Sequence, residues 1–184
     1  MKPPLSVNGS DDFQTPPEAL KPLLPFLDKS WVIWECAQGK GNLTKTLSRL
    51  GYGVVGTDIL TGQDFLFWQP DHWDCIVTNP PYSKKQKFLE RCYKLGKPFV
   101  LLLPLTALET RSRQKLYAKY GLQVILFPKR INFQVPKTIG SNSWFATAWL
   151  TNGLRLPRDL NFVNPEYLNQ TKLLLVVRVG GIQK

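Results

Sequence analysis

The chain has 184 residues and a net charge of +11, with 43% hydrophobic, 12% aromatic and 20% charged residues. That length builds one domain with a real core, and the composition excludes a fully disordered chain or a disulfide-stapled miniature. The charge is uneven: residues 1–78 hold 6 basic against 9 acidic side chains, a balance of −3, whereas residues 79–184 hold 18 against 4, a balance of +14.

Residues 1–30 contain six of the fifteen prolines and read as an extended or turn-rich arm, with one helical turn near 18–24. From Trp31 the pattern changes, and residues 31–37 read as a short buried strand. Gln38-Gly39-Lys40-Gly41 is a glycine turn. A helix follows over 42–50, with Leu43, Leu47 and Leu50 on one face, Asn42 placed to cap and Gly51 ending it. Residues 53–59 and 73–78 read as strands, 85–95 as a helix, and 99–103 as a strand. A helix over 110–120, a strand over 123–127 and an apolar, aromatic strand over 143–150 complete the series. This alternation predicts a three-layer α/β domain with a mostly parallel sheet and an antiparallel edge strand. Residues 151–172 read as a polar connector and 173–179 as a final strand. The division predicted is an arm over 1–30 holding a cofactor-contacting segment, a catalytic domain over 31–152 and an appendage over 153–184.

Cys36, Cys75 and Cys92 are odd in number and widely spaced, and His72 is the only histidine. Neither a Cys/His zinc site, a disulfide framework nor a Ser-His-Asp engine is expected from that set. The longest apolar run, from Pro98 to Leu108, is too short to span a bilayer. Met1-Lys2-Pro3-Pro4 lacks the apolar stretch of a signal peptide, so a cytoplasmic location is expected, with no membrane partner and no metal. The basic excess after residue 78 suits a polyanion such as nucleic acid.

In doubly wound sheets ligands sit at the carboxyl ends of the strands, beside a switch point. The first strand runs into Glu35-Cys36-Ala37-Gln38-Gly39-Lys40-Gly41, where glycines let backbone amides approach a ligand. The second ends at Thr57-Asp58, where a carboxylate can accept both hydroxyls of a ribose. Neither a Walker-type loop nor a full Gly-x-Gly-x-x-Gly is present, and Glu35 repels a pyrophosphate but attracts a cation. That favours S-adenosylmethionine, with its sulfonium and ammonium groups, over a dinucleotide.

The most specific element is the strand Asp74-Cys75-Ile76-Val77-Thr78 running into Asn79-Pro80-Pro81-Tyr82. That turn resembles the catalytic loop of S-adenosylmethionine-dependent amino methyltransferases, most closely small bacterial and phage DNA adenine-N6 enzymes with the γ-type motif order. The Glu35 to Gly41 turn resembles their cofactor loop, Asp11 to Pro17 their preceding Phe-x-Thr-Pro segment, and Gln63-Asp64-Phe65-Leu66 their third cofactor element. Lys129-Arg130-Ile131-Asn132-Phe133 resembles their late Arg-x-x-Phe segment.

The resemblance implies a Rossmann-like class I methyltransferase. Catalysis would fall to Asn79, Pro80, Pro81 and Tyr82. The side-chain carbonyl of Asn79 and the backbone carbonyl of Pro80 accept the amino N–H bonds and aim its lone pair, while Tyr82 stacks on the base. Cofactor binding would fall to Thr15, Glu35, Ala37, Gly39 and Gly41 around the methionine portion, Asp58 on the ribose, and Asp64 with Phe65 on the adenine. Lys84, Lys85, Lys87 and Arg130 would meet nucleic acid, and Phe133 would hold the flipped base. Asp64 also fits a turn cap, Phe65 and Phe133 also fit a core, and Cys36 and His72 read as structural. DNA is expected ahead of RNA as substrate. Cytosine-N4 methylation, methylation of a protein glutamine amide and a catalytically dead nucleic-acid-binding module are the remaining alternatives. The chain lacks a long separate recognition region, so relaxed specificity, a homodimer or a specificity partner is expected.

Overall fold

The computed structural model describes residues 14–133 and 145–166. Seven strands form one sheet: β1 (Val32–Glu35), β2 (Gly53–Gly56), β3 (Cys75–Thr78), β4 (Phe99–Pro104), β5 (Gln123–Leu126), β6 (Thr147–Asn152) and β7 (Leu160–Phe162). Their order is β2-β1-β3-β4-β6-β5-β7. β2, β1, β3 and β4 are parallel, β6 runs antiparallel to both β4 and β5, and β7 is parallel to β5. The Rossmann-like α/β class and the antiparallel pairing predicted from sequence are both present. β6 inserts between β4 and β5, so the outermost strand is β7, which lies inside the stretch read as a polar connector.

Helices cover both faces. α1 (Asn42–Arg49) and a 3-10 helix, Pro17–Phe26, lie on one side. Leu20 and Leu23 of the 3-10 helix and Leu43 and Leu47 of α1 share a buried cluster with Ile33, Val77, Val100, Leu102 and Trp149. α2 (Lys85–Leu95) and α3 (Arg111–Tyr120) lie on the other, where Phe88, Leu89 and Cys92 pack with Trp34, Ile76, Phe99, Leu101 and Leu103. Successive residues of β4 thus point into opposite cores, which is why Phe99-Val-Leu-Leu-Leu-Pro104 is apolar throughout instead of alternating.

The single helical turn expected near 18–24 is a ten-residue 3-10 helix with Pro22 and Pro25 inside it. Proline's fixed φ suits that helix, and its loose hydrogen-bonding loses less to a missing N–H than an α-helix would. Trp149 Nε1 donates to Ala19 O at 2.8 Å and ties this helix to the sheet. Asn42 does not cap α1: Gly41, at φ +77°, takes the cap position and Asn42 is the first helical residue. The strand expected over 143–150 is observed as β6, residues 143 and 144 lying outside the described residues. The expected strand over 173–179 also lies outside them. No helix among the described residues is long and apolar enough to cross a membrane.

Candidate active site

The chain leaves β1, moves outward to β2, then returns to β3 on the other side of β1. The carboxyl ends of β1 and β3 therefore diverge and leave a crevice, the place where such sheets bind ligands. Glu35 ends β1, Thr57-Asp58 follows β2, and Thr78-Asn79 ends β3. A cleft there is lined by Gln14, Thr15, Glu35, Ala37, Gln38, Asn42, Leu43 and Asn79. The structure thus brings together four residues that the sequence singled out from three separate segments: Thr15, Glu35, Ala37 and Asn79.

Glu35 is 1% exposed. Its Oε1 accepts from the Ala37 N–H at 3.2 Å and from the Thr78 hydroxyl. Burial pushes its carboxyl up to about 8; the Asp58 charge adds to that rise, and the Thr78 and Ala37 hydrogen bonds oppose it. Asp58 is held at both oxygens: Oδ2 accepts from Gly39 N–H and Oδ1 from Leu60 N–H, each at 2.9 Å. Each oxygen keeps further lone-pair capacity, so the carboxylate is oriented yet still able to accept. Gly39 has φ +50°, and a Cβ there would meet Gln14 Nε2 at 2.9 Å. The positive φ is what favours glycine there, since the Gln14 side chain can turn away. Thr15 is 3% exposed, and its hydroxyl has no hydrogen-bond partner among the described residues. A buried hydroxyl without a partner is unfavourable unless a ligand supplies one. This donor set fits a ligand that carries a diol and a cationic group.

The Asn79-Pro80-Pro81-Tyr82 turn leaves β3 with Pro80 buried and Pro81 at φ −59°. Tyr82 sets its ring edge-on to Phe145, with centroids 5.5 Å apart. Lys85 Nζ donates to Tyr82 O at 3.1 Å, so this lysine clamps the end of the turn. Lys84 and Lys87 are exposed.

Asp64 accepts from Leu66 N–H at 2.9 Å and stabilises its own turn. Phe65 is 2% exposed, stacked on Phe88 at 4.6 Å and tilted against Trp34 at 5.2 Å. Its ring belongs to the aromatic core that includes Trp68 and Trp73, which is a different use from the adenine contact expected of it. Phe133, 3% exposed, likewise lies in the core beside Ile131 and is not presented to a base. Arg130 is exposed and lines a larger cleft of about 120 Å³ with Pro16, Glu18, Phe127 and Lys129. That cleft abuts the first through the consecutive residues Thr15 and Pro16, but the buried carboxyl and the unpartnered hydroxyl converge in the smaller one. Residues 11–13 of the Phe-x-Thr-Pro segment lie outside the described residues.

Sequence reasoning missed Thr78, whose hydroxyl joins the ends of β1 and β3; its position directly before Asn79 was the available signal. Cys36, Cys75 and Cys92 are buried and free, and burial raises every one of their thiols, which suits packing rather than nucleophilic work. Among the described residues no group of three His, Cys, Asp or Glu side chains gathers as a metal site.

No family model matches the chain, and no curated protein does. Solved structures do. The methyltransferase subunit of a type I restriction-modification system from Streptococcus thermophilus superposes with a TM-score of 0.53 at 16% identity, over 79% of this chain and 45% of that one. A chain described as the modification subunit of a type I restriction enzyme, from Vibrio vulnificus, gives 0.52 at 13% identity over the same shares. A predicted O-methyltransferase from Agrobacterium tumefaciens gives 0.50 at 11% identity, over 80% of this chain and 84% of that one. The chain spans less than half the length of the two type I subunits. With the strand order, the crevice between β1 and β3 and these likenesses taken together, the fold is that of the Rossmann-like methyltransferases.

Proposed function

We propose that this chain transfers a methyl group from S-adenosylmethionine to the N6 amino group of adenine in nucleic acid, with DNA as the favoured polymer and little built-in target recognition. The observation that carries this reading is the Asn79-Pro80-Pro81-Tyr82 turn opening onto the same cleft as the buried Glu35. When bound, the cofactor supplies an electrophilic methyl group.

The chain's own residues hold and aim the reactants. Asp58, preset by the Gly39 and Leu60 amides, takes the ribose hydroxyls. Glu35 faces the cationic portion, whose charge draws the carboxyl into its ionised form. The Thr15 hydroxyl gains the partner it lacks. Asp64 takes the adenine amino group of the cofactor, while Phe65 supports that turn from the core. An exocyclic amino group is a poor nucleophile because its lone pair is delocalised into the ring. Accepting its two N–H bonds at the Asn79 side-chain carbonyl and the Pro80 backbone carbonyl localises that pair toward the methyl group and offsets the developing positive charge. The two prolines hold both acceptors in place before the base arrives, so catalysis rests on alignment. Tyr82 supplies the stacking face for an extruded base. We further assign residues 1–30 as an arm holding the cofactor-contacting segment, 31–152 as the catalytic domain, and 153–184 as an appendage whose residues 160–162 extend the sheet as β7.

Labelled methyl transfer to duplex DNA, single-stranded DNA, structured RNA and protein, run in parallel with nucleoside analysis of the products, tests this. N6-methyldeoxyadenosine is expected. N6-methyladenosine instead moves the substrate to RNA, and label in protein alone replaces the reading with a glutamine-amide substrate. Asn79→Ala is expected to abolish transfer while leaving cofactor binding largely intact, and Asp58→Ala to weaken cofactor binding. Near-normal turnover by Asn79→Ala rejects the mechanism.

A further inference from the structure

Thr78 is wholly buried at the end of β3, a strand whose other three residues, Cys75, Ile76 and Val77, are equally buried and apolar. Valine has nearly the same shape and avoids burying a hydroxyl, which is unfavourable unless the hydroxyl is hydrogen-bonded. Here the hydroxyl donates to Glu35 Oε1 across the crevice, from one strand end to the other. Oε1 also takes the Ala37 N–H at 3.2 Å, and no described residue donates to Oε2. Glu35 thus reaches the cofactor loop through Ala37, the catalytic turn through Thr78, and the cleft that its side chain lines. Asn79, which lines the same cleft, is the next residue in the chain.

We propose that Thr78 is a positioning residue: its hydroxyl links occupancy of the cofactor cleft to the setting of the Asn79 acceptor. The inference rests on the reading of this cleft as an S-adenosylmethionine site. A cation beside Glu35 favours the carboxylate, and a hydrogen bond to a carboxylate is shorter and stronger than one to a neutral carboxyl group. Cofactor binding therefore tightens the Thr78 bond and fixes the residue that precedes Asn79. The coupling is reciprocal, so losing the hydroxyl weakens the cofactor as well as misplacing the acceptor. The other titratable groups facing Glu35 are Asp58 after β2 and the adjoining Cys36 thiol; the Thr78 hydroxyl also bears on that thiol, which burial raises.

The test measures S-adenosylmethionine binding by calorimetry between pH 6 and pH 9 for the wild type, Thr78→Val and Thr78→Ser. Binding to the wild type should strengthen as Glu35 ionises. In Thr78→Val the midpoint of that rise should move up by about one pH unit, with affinity near neutral pH falling about tenfold, the effect of one lost charge-assisted bond. Thr78→Ser should restore both. Turnover at saturating cofactor should fall in the valine variant and recover in the serine variant. A hydroxyl that serves Glu35 alone moves the midpoint but leaves turnover at saturating cofactor intact, so a folded valine variant with the wild-type midpoint, or with wild-type turnover at saturating cofactor, overturns the proposal. If that variant does not fold, amide exchange in the wild type decides: protection at residues 78–79 should rise on cofactor binding, and should not rise in Glu35→Gln. Equal protection in both rejects the coupling. Failure of the wild type to bind S-adenosylmethionine at all removes the reading of the cleft, a result distinct from an unmoved midpoint.

Discussion

Glu35 is a carboxyl group stripped of water, and two hydrogen bonds to one oxygen replace only part of that hydration. The folded chain therefore holds a proton up to about pH 8, whereas the unfolded chain releases it near the ordinary value of 4.5. Between those values the native state binds more protons than the unfolded state, so stability falls as pH rises and levels off above about 8. Glu35→Gln keeps the size and an acceptor oxygen but cannot ionise. Without cofactor, urea denaturation should show the variant more stable than the wild type at pH 9 by an amount on the order of a few kcal/mol, with the gap closing toward pH 4. Parallel stability curves for the two proteins would mean that Glu35 is solvated in the folded state. A bound cation reverses the balance, because it makes the ionised form the favoured one. The same carboxyl that weakens the empty fold at high pH thus becomes a source of ligand affinity there.

At the scale of elements, the sequence was readable where apolar spacing was regular. α2 matches its predicted bounds, and β1, β3, β4 and α1 lie within or close to theirs, because each buries a face whose period is fixed by backbone geometry. The 3-10 helix was obscured by its prolines, and β7 by its polarity: its pairing to β5 rather than its own pattern makes it a strand. Asn79, Glu35 and Thr15 were legible because they stand at strand ends or in a motif. Phe65 and Phe133 were legible only as either core or contact, and it is their burial, beside Phe88 and in the cluster of Ile131, that decides for the core. Arg113 shows the same limit. It stands among Arg111, Lys115 and Lys119 in the basic half of the sequence, yet it is 7% exposed, with Nε donating to Ala107 O at 2.7 Å and Nη2 to Thr106 O at 3.1 Å. Tyr117 OH adds a third bond, to Ala107 O at 2.9 Å. These bonds hold the 3-10 turn Leu105–Leu108 against α3; Thr110, a β-branched residue at φ +74°, lies between the two. Arg113→Ala is expected to lower stability by about 2–3 kcal/mol by removing two bonds made by a buried charged group, and Arg113→Lys to recover little, because an ammonium lacks the fork. Denaturant titration checks both. A loss under about 0.5 kcal/mol would show that water replaces the guanidinium at no cost.

Across the whole molecule the charge follows the layers. Residues 84–120, which build the α2–α3 face, carry 10 basic and 2 acidic side chains, against 5 and 3 over residues 17–50 on the opposite face. Four of those ten are engaged inside the protein: Lys85 on Tyr82 O, Arg91 on Trp68 O, Lys97 on Trp73 O, and Arg113. The remainder, Lys84, Lys87, Lys94, Arg111, Lys115 and Lys119, are exposed. Arg111, Lys115 and Lys119 recur every fourth residue and so form a stripe down one side of α3. α2 and α3 both begin at the carboxyl edge of the sheet, after β3 and β4, where Ser112 Oγ donates to Gln86 Oε1. A polyanion seated on this face thus has one end at the Asn79 turn. Each phosphate neutralised by a lysine or arginine steepens the salt dependence of binding by about 0.9 log units per log unit of salt on duplex DNA. Replacing Lys84, Lys87, Arg111 and Lys115 together with alanine should therefore flatten the slope of log affinity against log salt by about 3 to 4, without altering the thermal shift that cofactor produces. Lys45→Ala with Arg49→Ala, on the α1 side, should leave the slope unchanged. Lys85→Ala should separate from the other lysines by lowering turnover more than affinity, since its ammonium holds the end of the catalytic turn. Fluorescence anisotropy with a labelled duplex across a salt series measures the affinities and slopes, and labelled methyl transfer measures the turnover of Lys85→Ala. A slope that survives the fourfold substitution and falls with the α1 pair would put the nucleic acid on the opposite face.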